Sequence, residues 1–154
     1  NVRLEGTDYN PELTGWCLAN LEFARFGLNR LEPPTSYADG AFGLVYAFSV
    51  FTHLPEPLQH AWMAELRRIL EPGGYLALST MPPRMLPDDD TRARFAAGRL
   101  VVLNATDAGA NNCIAFHPTE YMKETLATGF DVLEFVPDGV GQDFWLLRKK
   151  AAPP

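Results

Sequence analysis

Short apolar runs along this chain alternate with stretches in which apolar residues recur every three to four positions. The runs predict strands and the wider spacing predicts helices. Their alternation is the mark of an α/β fold built on a parallel sheet. Val2 to Thr7 reads as a short strand ending at Asp8. Asn10-Pro11-Glu12 then predicts a helix start, because Asn can cap and Pro suits the first helical position. Leu13, Trp16, Cys17 and Leu21 give that helix an apolar face. Phe23 to Gly27 predicts a second, weaker strand, and residues 29–40 a loop with Pro33-Pro34 and an Asp39-Gly40 turn.

Phe42 to Phe48 is almost continuously apolar, as a strand buried on both faces is. A helix starts near Pro57, with Leu58, Ala61, Trp62, Leu66 and Ile69 as its buried stripe and Glu65, Arg67 and Arg68 toward solvent. Pro72-Gly73-Gly74 stops it, with glycine available for a left-handed turn, and Tyr75 to Thr80 is the next strand. Residues 81–116 are the least regular; Asp88, Asp89 and Asp90 can cap a short helix over Arg92 to Ala97. Pro118 opens a helix with Tyr121, Met122 and Leu126 inward, closed by Gly129. Phe130 to Val136 and Phe144 to Arg148 are strands joined by Pro137 to Gly141. That link is too short for a crossover helix, so the pair is predicted to be an antiparallel hairpin. The reading totals six strands, five suited to a parallel layout and a final antiparallel one.

The length of 154 residues suits a single domain, 1–154, and 47% apolar with 21% charged residues fits a globular chain. A net charge of −6 argues against tight non-specific binding to nucleic acid; the one dense basic cluster is Arg148-Lys149-Lys150. No apolar run reaches the roughly 18 residues of a membrane helix, and no signal peptide opens the chain. Cys17 and Cys113 lie far apart without a C-x-x-C pair, so neither a disulfide framework nor a zinc site is expected, and a cytoplasmic location is the default. His53, His60 and His117 show no metal-binding spacing, and the Asp88–Asp90 run reads as a solvated helix start. No metal is expected.

Three segments together resemble the class I S-adenosylmethionine-dependent methyltransferases. Gly6-Thr7-Asp8-Tyr9-Asn10 places an acidic residue at the end of a strand before a helix. Residues 39–54, from Asp39-Gly40-Ala41-Phe42-Gly43 to Thr52-His53-Leu54, are similar to the family's D-x-x-F-D-x-V…H-L strand and its exit. Residues 65–76, from Glu65-Leu66-Arg67-Arg68 to Pro72-Gly73-Gly74-Tyr75-Leu76, are similar to its E-L-x-R-x-L-x-P-G-G-x-L helix–turn–strand. The resemblance implies a Rossmann-like, doubly wound, mostly parallel sheet with an antiparallel final strand. The six strands correspond to the second through seventh of the family's sheet. The first strand and its acidic-x-Gly-x-Gly-x-Gly turn are missing, and they are expected upstream of Asn1 in the natural gene. The family's Asp after Phe in the fourth strand is Gly43 here, and the Asp that often meets the adenine is Asn29.

The resemblance also implies a cofactor, S-adenosylmethionine, and roles for particular residues. Asp8 is placed to accept hydrogen bonds from the ribose hydroxyls; on its own it reads equally as a residue flanking the helix. Tyr9 is placed against the adenine, or else packs on the next helix. Asn29 is placed at the adenine edge, or else bonds within its own loop. Ala47, Phe48 and Ser49 have their backbone beside the methionine moiety, or are simply a core strand. His53 is the one candidate for chemistry, as a base that takes a proton from a hydroxyl or amine; otherwise it packs the loop before the helix. His60 reads as surface, and His117 as support for the start of the helix after Pro118. The implied activity is methyl transfer to an oxygen or nitrogen of a small-molecule or glycan acceptor. The alternatives are a non-catalytic interaction domain of the same fold and a nicotinamide-dependent oxidoreductase.

Overall fold

The computed structural model describes residues 2–139 and 141–151. Val140, in the predicted hairpin turn, lies outside them. The chain divides into two compact units, Asn1–Ser36 and Tyr37–Pro154.

The first unit is a strand–helix–strand: β1 (Glu5–Asp8), α1 (Pro11–Asn20) and β2 (Arg25–Leu28), with β1 and β2 parallel. The predicted start of α1 is borne out. Asn10 Oδ1 accepts from the backbone N–H of Glu12 and Leu13 at 2.9 and 3.2 Å, and Pro11 opens the helix. The apolar face of α1 does not form a core, however. Leu13, Trp16 and Leu18 are exposed, and the buried residue is Thr14, whose hydroxyl bonds back to Asn10 O.

The second unit holds a four-stranded sheet in the order β3 (Phe42–Ala47), β4 (Leu70–Thr80), β8 (Asp143–Lys149) and β7 (Phe130–Val136). Strands β3 and β4 are parallel, and β8 is antiparallel to both β4 and β7. The predicted closing hairpin therefore forms, with its last strand inserted between its partner and β4. Residues 81–116 carry a further pair that the pattern did not predict: β5 (Val101–Leu103) antiparallel to β6 (Ile114–Phe116), beside α3 (Asp89–Ala96). That raises the described strands to eight. Asp88 caps α3 in a reciprocal box with Thr91, and those hydrogen bonds hold its carboxyl below the usual range.

Helix α2 (Glu56–Ile69) and the turns over 119–126 cover one face of the four-stranded sheet. Met63, Leu66, Ile69, Tyr121, Met122 and Leu126 meet Ala47, Leu76, Leu78, Trp145 and Leu147 there. The opposite face is open. Leu44 is 59% exposed, Tyr46 70% and Phe48 49%. The expectation that β3 is buried on both faces is thus corrected: alternate residues Val45 and Ala47 face the core, and the other set does not.

A second correction concerns α2. Glu65, expected in solvent, is buried and accepts both forks of Arg68 at 2.8 Å. Arg68 also reaches Asp39 Oδ1 at 2.6 Å and Tyr37 O at 2.8 Å, tying α2 to the turn that leads into β3. Gly73 does adopt the left-handed conformation, with φ +75°. Among the described residues no helix is long and apolar enough to cross a membrane.

Candidate functional site

Within the first unit, three of the expected cofactor residues come together. Asp8 ends β1 and pairs with Leu28, and the Asn29 N–H donates to Asp8 O at 3.0 Å. Because β1 and β2 are parallel, Asp8 and Asn29 share one carboxyl edge, where ligands bind in open α/β sheets. The Asp8 carboxylate accepts the Asn10 N–H at 2.7 Å through Oδ1. Its helix-flanking role is therefore real and, among the described residues, uses one oxygen. Asn29 Nδ2 donates to Arg30 O at 2.6 Å, which is the local bond a loop residue makes. Asn29 Oδ1 is buried and has no partner among the described residues. An orphaned buried acceptor is costly and calls for a donor. Tyr9 follows Asp8 with its residue partly exposed.

In the second unit, Ala47 is buried in the core at the end of β3. Phe48 lies edge-on to Phe144, with ring centroids 5.3 Å apart. Ser49 has φ +55°, the left-handed region. A non-glycine residue there is uncommon, and such residues cluster at ligand sites. Its N–H donates to Ser79 Oγ at 2.8 Å, and its hydroxyl accepts Gln142 Nε2 at 2.8 Å. Neither Ser79 nor Gln142 is legible from the sequence, since each meets Ser49 only through the fold.

A Cβ at Gly43 would come within 3.0 Å of Glu71 Oε1, the end of an exposed side chain.

His53 closes the 3-10 turn Phe51–His53 and is partly buried. Its Nδ1 lies 2.8 Å from Cys113 O. A carbonyl only accepts, so Nδ1 carries the proton, and the Nε2 of the neutral ring holds a lone pair. His60 is half-exposed, as expected of a surface residue. His117 departs from its expected role. It is 2% exposed and bonds to Gln59 at 2.9 Å rather than to the start of the next helix. Burial pushes its pKa down to about 3. The Arg148-Lys149-Lys150 side chains each meet a group of the protein: Asp131, Leu70 O and Thr128 O respectively.

The geometry can be set beside known proteins. A family model of the methyltransferase domain matches residues 2–78. No curated protein sequence matches the chain. Among solved structures, a SAM-dependent methyltransferase from Methanosarcina mazei is 20% identical with a TM-score of 0.68, covering 96% of this chain and 82% of that one. An S-adenosylmethionine-dependent methyltransferase from Mesorhizobium loti is 12% identical with a TM-score of 0.69, covering 96% and 80%. The 1,6-didemethyltoxoflavin-N1-methyltransferase of Burkholderia thailandensis, solved with 1,6-didemethyltoxoflavin and S-adenosylhomocysteine, is 16% identical with a TM-score of 0.65, covering 96% and 61%. At these identities the structures share a fold with this chain.

Proposed function

Since this chain belongs to the methyltransferase-domain family, the class I S-adenosylmethionine-dependent enzymes on a Rossmann-like α/β fold, we propose that it directs the methyl group to an oxygen or nitrogen of a small-molecule or glycan acceptor. The observation that carries the site assignment is the pairing of Asp8 and Asn29 at one strand edge, with an acceptor left over on each. Asp8 has its second carboxylate oxygen for the ribose hydroxyls, and the orphaned Asn29 Oδ1 suits the exocyclic amine of adenine. Tyr9 would lie against the adenine ring. The bound cofactor supplies a methyl group already activated by a sulfonium.

What remains for the protein is proximity, orientation and the acceptor's proton. His53 takes that proton at Nε2, since its Nδ1–H is committed to Cys113 O. Titration with S-adenosylhomocysteine, followed by amide NMR shifts, tests the cofactor reading. Asp8→Ala is expected to weaken binding about tenfold or more, the worth of hydrogen bonds to a charged group. An unchanged affinity would return Asp8 to its helix-flanking role.

A second reading, a non-catalytic domain of the same fold, is favoured by Gly43, which stands where the family carries an Asp. Incubation with methyl-labelled cofactor and a panel of hydroxylated and amino acceptors separates the two: label transfer retires the non-catalytic reading.

A further inference from the structure

We propose that Gln59 and His117 are positioning residues for His53, holding the turn so that the ring keeps its proton on Nδ1 and its lone pair on Nε2. The inference rests on the reading of His53 as the proton acceptor. Gln59 is fully buried on α2, among the apolar residues of the core. Its Nε2 donates to Leu54 O at 2.8 Å and, more weakly, to Phe51 O at 3.4 Å. These carbonyls bracket Thr52 and His53. Two backbone acceptors fix which way the amide points, so Oε1 must be the atom that faces His117. His117 Nε2–H therefore donates to it at 2.9 Å.

Strand β6 thus grips the turn from both of its ends. Cys113, just before β6, offers the carbonyl that orients the His53 ring. His117, just after β6, holds the amide that holds the turn. A third tie comes from the Gly109 N–H, which donates to His53 O at 2.8 Å.

Stability alone does not account for this cluster. His117 Nδ1 and Thr52 Oγ1 are both buried without a partner among the described residues, and each such orphan is a penalty that apolar side chains would avoid. Buried polar groups of this kind fit a demand for one defined geometry, and the residue whose geometry they define is His53.

The test uses the full chain, labelled with nitrogen-15 and read at its three imidazoles. His53→Gln assigns the signal. In the unaltered protein the His53 ring should be the Nδ1–H tautomer. The double variant Gln59→Met/His117→Phe removes the pair and refills the space with apolar groups of similar size, at the cost of leaving Leu54 O without this donor. It is expected to melt cooperatively, below the parent, while His53 becomes a mixture of tautomers. Its Nδ1 proton should exchange roughly fivefold faster or more, the worth of about one hydrogen bond. A folded double variant with an unchanged His53 tautomer and exchange rate would overturn the proposal. If that variant does not fold, Gln59→Asn, which keeps the amide but draws it back by one methylene, carries the same two outcomes. His53→Ala with undiminished methyl transfer would remove the base assignment and leave the tautomer result standing, so the two failures are distinguishable.

Discussion

His117 is held neutral by burial, which takes its pKa from 6.5 down to about 3. The sign of its effect on stability follows from proton counts. Between those values the unfolded chain binds a proton that the folded chain refuses, so stability is complete above pH 6.5 and is lost as the pH falls toward 3. Each pH unit in that window removes at most ~1.4 kcal/mol. Urea unfolding at pH 7 and pH 5 should show a loss of about 2 kcal/mol for the parent that His117→Phe does not share. Equal losses in both proteins would place the pH dependence elsewhere. Asp8 and Asn29 were picked out by the family resemblance, and the structure sets them side by side at the end of parallel strands. Gln59 and His117 were not. Between Leu58 and His60 a Gln reads as solvent-facing, and its burial depends on a partner 58 positions away.

At the scale of elements, the two faces of the β3–β4–β8–β7 sheet are energetically distinct. Leu78 is fully buried beneath α2, whereas Tyr46 on the other face of β3 is 70% exposed. Leu78→Ala is expected to cost about 2–5 kcal/mol, and Tyr46→Ala less than about 1 kcal/mol, both read from urea midpoints. A large loss in Tyr46→Ala would show that the open face is covered in solution. The apolar run Phe42–Phe48 could not reveal this asymmetry, because periodicity records what a strand is suited to touch and not what touches it. The β7–β8 hairpin was legible from the length of its link alone. The β5–β6 pair escaped because strands of three residues contain too little alternation to register, and the loop between them carries three Asn. Glu65 and Arg68 belong to a motif that the sequence displayed plainly, yet their work in anchoring residues 37–40 emerged only with coordinates.

For the whole molecule, charge and exposed apolar surface together set how copies of the chain meet. The open sheet face has a different consequence, in how the protein behaves in bulk. At long range a net charge of −6 makes copies repel. At short range Leu44, Tyr46 and Phe48 make them adhere. The repulsion fades beyond about 10 Å in 0.1 M salt, while the apolar attraction is not screened. Colloidal stability is then set by ionic strength, with dilute buffer keeping the chains dispersed and concentrated salt driving them together.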